Sequence, residues 1–386
     1  MLLDGMTLAV AAATAWSQPI TFPGWPDFGP IPRTAIATDG HHYTAWEDAQ
    51  GALLASADGA APERLADRSD DYVAAAAPGR AAVAYSRGAG AFIAVRGEPQ
   101  RRLVKGGVED IALAADPRGG WVFVAQSKHH VLAFSLDRRG RTVRRQDLGN
   151  GAIEDWGRQS RVLTVTPSGR AYLAMYGPPP RPLLVVQRRH GGPWAKPVRV
   201  PGQPERQADY TDLSVVAAGE RVAIGALTPT SCGDVGCAGF PLIGGPTEPL
   251  HGPRLTKPNR VFAPAVAPGV LVYQQKTGKK SFSRSAPVVA VAGGRGQRLT
   301  GAPAAEPVPL PLSGGRTLVL WTTAKGWGAA LAHADGRFRS ISAPPGPPTG
   351  RFHTADTDRD VQSAGRYAIA AWGAEGLVHI SVRRFP

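Results

Sequence analysis

Helix is the first thing this sequence lacks. No stretch of helical length carries apolar side chains at helical spacing, and 47 glycines with 36 prolines interrupt every candidate. That excludes all-α and layered α/β architectures. Lysine is scarce too: eight of the 44 basic residues are lysine and the others arginine. Aromatic residues make up 7% of the chain, so a core has to be filled mainly by Ala, Val and Leu. Cysteine is limited to Cys232 and Cys237, too few for a disulfide scaffold or a four-ligand zinc site. No apolar run reaches the length of a membrane-spanning helix.

What is present is a phrase written eight times. A short apolar run ends at a glycine, and a second apolar run, often closing on an aromatic, begins straight after it. YVAAAAPGRAAVAY, VLTVTPSGRAYLAMY and VQSAGRYAIAAW are three copies. The turn glycines are Gly40, Gly79, Gly120, Gly169, Gly219, Gly269, Gly315 and Gly365. A spacing of 39 to 50 residues with only strand-like content is the signature of a radial array of small sheets. The expected fold is an all-β, eight-bladed β-propeller with four strands per blade; seven blades is the alternative reading. The final copy offers only three strands, so segment 18–22 is expected to complete that blade and remove an exposed edge.

The expected organisation is one propeller domain over 18–386, after an N-terminal 1–17 that is signal-like or disordered. Ala13-Thr14-Ala15 resembles a cleavage site, although Asp4 replaces the usual basic start. Four residues, two of them glycine, separate Cys232 from Cys237 in TSCGDVGCAG. The loop can therefore close a disulfide, which points to an oxidising, extracytoplasmic location.

Candidate site residues come from the repeat. Asp71, Asp110, Asp212 and Asp360 precede innermost strands in four different copies, and ring closure is expected to gather them at one mouth of the central channel. There they could hold a cation such as calcium, share a proton, or remain solvated turn residues. His353, Asp356 and Asp358 form a second polar cluster that opens like a calcium loop, but Val361 occupies the position of its glycine. His41-His42 and His129-His130 fall near turns with no third ligand in view. Trp46, Tyr85, Trp321 and Trp372 recur in second strands, where they serve either inter-blade packing or sugar stacking. Arginine pairs such as Arg101-Arg102, Arg188-Arg189 and Arg383-Arg384 are expected at the ring's outer edge.

The G-R-x-x-x-x-[WY] strands, Gly79 to Tyr85 and Gly315 to Trp321, resemble those of sialidase-like, BNR-type propellers. They are closer still to the Ala/Arg-rich secreted propeller repeats of actinobacteria. The resemblance covers the whole chain and implies fold. It carries no Asp-box of the form S-x-D-x-G-x-T-W, and Ile31-Pro32-Arg33 reverses the R-I-P order, so it implies no arginine triad. The net charge of +14 favours a polyanionic ligand, and no motif points to nucleic acid. The expected function is a secreted, monomeric, non-catalytic binding or scaffold propeller for an acidic glycan or a protein. The alternative is a carbohydrate-active hydrolase or lyase.

Overall fold

The computed structural model describes residues 15–24, 31–88, 90–153, 162–179, 181–202, 211–233, 236–246, 260–276, 287–301, 304–323, 325–333, 335–346, 359–374 and 376–386. Among them every regular element is a β-strand except the 3-10 turn Ser313–Gly315. The strands form six four-stranded antiparallel sheets and one of seven strands. The larger sheet is two repeat units joined by a single residue pair, Gly239 opposite Val261. This is a β-propeller architecture, and the repeat units are its blades. In chain order their innermost strands are Arg33–Ile36, Asp71–Ala77, Asp110–Ala115, Leu163–Val165, Thr211–Ala218, Arg260–Ala267, Ala305–Pro311 and Arg359–Ala364. Blade numbers below follow that order. Each innermost strand touches the next, and Arg359–Ala364 touches Arg33–Ile36.

Second strands show why the repeat folds this way. Arg80–Arg87, Trp121–Ser127 and Ala171–Tyr176 are buried along nearly their whole length. A strand covered on both faces needs apolar residues without strict alternation, and AAVAY, WVFVA and AYLAM supply them. Each core cluster lies between blades. Ala82, Ala84 and Ile93 of blade 2 meet Trp121, Phe123 and Phe134 of blade 3. Leu318 and Leu320 of blade 7 meet Ala370 and Trp372 of blade 8. Ile36 and Trp46 of blade 1 meet Ile369, Ala371 and Ile380 of blade 8. Trp46, Tyr85, Trp321 and Trp372 are all at most 5% exposed, so of their two sequence readings inter-blade packing is the one observed.

The N-terminal strand lies where the incomplete last copy needs it, displaced slightly from 18–22. Ile20–Pro23 pairs antiparallel with Leu377–Arg384, Thr21 opposite His379. Phe22 stacks on Trp46 at 5.0 Å, and the Trp46 indole donates to the Pro23 carbonyl at 2.9 Å. Trp16 and Ser17 are packed as well: the Trp16 indole donates to Ser342 O at 3.0 Å, and Ser17 N to Val382 O at 2.8 Å. Both precede the boundary expected at residue 18.

In blade 5 the segment around the cysteines is strand: Gly236–Gly244 is its third strand and pairs with Arg221–Gly233. The ladder runs out through a bulge near Pro229 to the tip, so the cysteines lie on opposed arms. At the outer rim, side chains lace neighbouring blades. The Gln146 amide exchanges hydrogen bonds with the backbone N–H and carbonyl of Trp194, at 2.9 and 3.0 Å. Gln297 does the same with Phe338.

The repeat glycines are not equivalent. Gly79 has φ +66 with open space around it, whereas Gly120 has φ +100 and would place a Cβ 2.1 Å from the Leu136 carbonyl oxygen. Gly79→Ala is expected to cost about 1–2 kcal/mol for its left-handed backbone. Gly120→Ala adds a backbone clash and is expected to cost about 4 kcal/mol or more. Thermal melts of the two variants check the difference, and equal shifts would contradict it.

Candidate functional site

Innermost strands all begin on one face of the propeller, and the acids named from the sequence stand at those beginnings. Asp360 is 3% exposed. Its Oδ2 accepts the backbone N–H of Thr34, in the next blade round, at 2.7 Å. Asp71 accepts Tyr72 N at 2.8 Å through Oδ1 and also receives the backbone N–H of Ile111, again in the next blade. Burial pushes the Asp71 carboxyl above its ordinary range, while the Arg33 guanidinium and the two amides pull the other way. Asp110 is half-buried at the start of blade 3. Asp212 lies within Thr211–Ala218, its side chain outside the described residues. His353, Asp356 and Asp358 also lie outside them.

Asp71 and Asp360 therefore reach sideways to neighbouring backbone. An innermost strand has one edge with no ladder partner, and a carboxylate accepting its N–H satisfies a donor that would otherwise be costly to bury. Among the described residues no three His, Cys, Asp or Glu side chains gather as metal ligands. Two further polar groups on this face have no sequence signal beyond an ordinary acid. Glu47 accepts from Ser69 Oγ at 2.8 Å, and burial raises its carboxyl. The Gln126 amide donates to Glu109 and accepts Ile153 N at 2.8 Å, tying blade 3 to the segment leading into blade 4.

Histidine pairs resolve into separate contacts. His41 Nδ1 meets Asp58 Oδ2 at 2.8 Å, and the Asp58 hydrogen bond raises the His41 pKa. His42 is held in the same corner, where burial lowers its pKa. His130 Nδ1 meets Asp147 at 2.9 Å. The arginine pairs are not uniformly external. Arg188 and Arg383 are 4% and 7% exposed. Their strands alternate faces, so one member of each pair points into the blade.

The opposite face, where innermost strands turn into second strands, carries a cluster that the sequence reading missed. Asp116 Oδ2 is 2.9 Å from His190 Nδ1 and 3.5 Å from Arg188 Nη2, and Asp116 Oδ1 accepts Arg118 N at 3.0 Å. Arg188 Nη1 donates to Ser135 Oγ at 2.8 Å, and its guanidinium lies 5.7 Å from the Trp194 ring. Arg80 sits at the same distance from Trp121. Only the R-R-H run at 188–190 hinted at this; its partner Asp116 is 74 positions from His190.

No family model matches the chain, and no curated protein matches it. Among solved structures, a eukaryotic initiation factor is similar with a TM-score of 0.51 at 9% identity, covering 94% of this chain and 87% of that one. The polysaccharide lyase Uly1 gives 0.45 at 10% identity, over 80% of this chain and 85% of the other. The β-propeller domain of the Trilobed protease from Pyrococcus furiosus, described as having an open velcro topology, gives 0.45 at 8%, over 83% and 100%. At such identities the likeness is one of fold. The class of the chain is the β-propeller, and no helix among the described residues is long and apolar enough to cross a membrane.

Asp71 gives this face a testable pH signature. Its folded pKa is raised, so protonation favours the folded state. That stability is fully present below the ordinary carboxylate range and is lost as pH rises through the raised value. Relative to wild type, Asp71→Asn should therefore gain stability as pH rises above about 4, the ordinary carboxylate value. Melting curves across that range check the sign; parallel curves would contradict it.

Proposed function

We propose that the protein is a secreted, non-catalytic binding or scaffold propeller, with eight blades closed by pairing of its N- and C-terminal strands. The carrying observation is the use made of acids at the starts of innermost strands. Asp360 and Asp71 spend their carboxylates on backbone N–H groups of adjacent blades, a structural duty. A carboxyl that serves as catalytic acid or base has to be free to face a substrate atom. Contact of Arg359–Ala364 with Arg33–Ile36, together with the Ile20–Pro23 pairing, supports ring closure. The finer resemblance to sialidase-like, actinobacterial repeats rests on the G-R-x-x-x-x-[WY] strands, two buried middle strands whose role is packing. The ligand class is an acidic glycan or a protein, and calcium is retained as a variable to test.

Screening an array of acidic and neutral glycans, with and without calcium, should give salt-sensitive retention of acidic glycans. Release of reducing ends or unsaturated products would instead establish an enzyme and end this reading.

A disulfide between Cys232 and Cys237 belongs to the same proposal. Gly233 lies opposite Gly236 in the ladder, and the cysteines form the next directly opposed pair. Opposed residues of an antiparallel ladder have Cα atoms about 4.5–5.5 Å apart, within the span a disulfide bridges. A loop so short gains roughly 2 kcal/mol in the chain-entropy model. Mass spectrometry of unreduced protein should find the cysteine peptide lighter by two hydrogens and inert to alkylation. Free thiols in protein exported by its own host would remove both the bond and this support for secretion.

A further inference from the structure

We propose that the turn face of blades 2–4 is an anion-binding surface, centred on Arg80, Arg138, Arg144, Arg188 and His190 around Asp116, that takes an acidic polysaccharide. This inference rests on the reading of the protein as a binding propeller and gives that reading a location. Three blades contribute. Arg80 opens the second strand of blade 2. Asp116 and Arg138 come from two turns of blade 3, and Arg144 from its outer strand Thr142–Asn150. Arg188 ends the third strand of blade 4, and His190 lies in the turn that follows.

The charge count decides the sign. Asp116 is 3% exposed and already saturated by His190, Arg188 and Arg118 N. Asp137, in the adjoining turn, spends Oδ1 on the backbone N–H groups of Arg139 and Arg141. Glu98 faces Arg139 at 3.4 Å. The acids of this face are thus occupied, while Arg138 and Arg144 are exposed. Desolvation is the main cause lowering the pKa of both Arg80 and Arg188; Arg138 lowers that of Arg80 further, and at Arg188 the lowering by Arg144 is smaller than the opposing pull of Asp116. Such a surface attracts anions, and guanidinium forks match carboxylate and sulfate oxygens.

Surface chemistry narrows the class of ligand. Trp121 and Trp194 are 1% and 4% exposed, covered by Arg80 and Arg188, so no open ring offers a stacking platform for unpaired bases. The large apolar side chains most exposed in these blades are two valines, Val143 and Val198, short of the buried aromatic anchor cluster a protein partner needs. A hydrophilic chain with repeated charges, spanning cations from three blades, fits what remains.

The test titrates the full chain with heparin and with polygalacturonate; dextran, duplex DNA and polyglutamate are comparators. Arg138→Glu combined with Arg144→Glu changes only exposed side chains. Arg68→Glu combined with Lys325→Glu makes the same charge change on the acid face, again at exposed positions. The expected result is salt-sensitive binding of at least one acidic polysaccharide, weakened about tenfold or more in the first variant and less than about twofold in the second. Melting temperatures should stay unchanged. Equal loss in both variants would overturn the site while leaving a binding propeller standing. DNA or polyglutamate bound as tightly and lost in the same variant would overturn the polysaccharide. Failure to bind either acidic polysaccharide would overturn the inference outright. Chain cleavage, by contrast, would refute the non-catalytic reading and not the location.

Discussion

Every blade here depends on its neighbours to bury what it cannot bury alone. The second strands are apolar on both faces, so an isolated four-stranded sheet would leave one of them in water. Packing Trp121, Phe123 and Phe134 against the alanines and Ile93 of blade 2 meets that need, and comparable contacts recur between later blades. Removing one such aromatic opens a cavity costing about 3–5 kcal/mol, and the loss falls on two blades at once. Small residues on the facing sheets let blades approach closely. That explains why alanine and glycine are abundant and aromatics few.

Polar interactions are arranged around that packing. On the face where innermost strands start, carboxylates clasp the next blade's backbone, as Asp360 does with Thr34 N. On the turn face, acids again bridge: Asp39 accepts Gly79 N at 3.1 Å, and Glu220 accepts both the amide and the hydroxyl of Ser168. At the rim, Gln146 and Gln297 lace neighbouring blades. The acids are mostly committed to holding backbone in place, whereas many arginines stay at the surface. The excess positive charge is therefore also the chemically available charge.

The repeat made the architecture legible because turn glycines and two-sided apolar strands are local features. The middle-strand aromatics were legible for the same reason. Asp71 and Asp360 were found at the right end of their strands, but their orientation depends on backbone in the following blade, which no local pattern encodes. Arg188 was picked out only as half of an outer-edge pair, and Asp116 and His190 not at all: each is ordinary in its own segment, and only the stacking of blades 3 and 4 brings them together. The strand character of the cysteine segment was not legible, because glycine, proline and serine look like loop while permitting a ladder to continue.

Pairing of Ile20–Pro23 with Leu377–Arg384 has a kinetic consequence. Thr21 and His379, in contact across that pair, are 358 positions apart in sequence. Hairpins within a blade form from neighbouring residues and need no such search, but this contact has to be found through nearly the whole chain. Until it forms, the Leu377–Arg384 strand keeps a free edge and Trp46 lacks Phe22, leaving a sticky seam between blades 1 and 8. That one short strand is thus what covers the last open edge of blade 8 and completes its seam with blade 1.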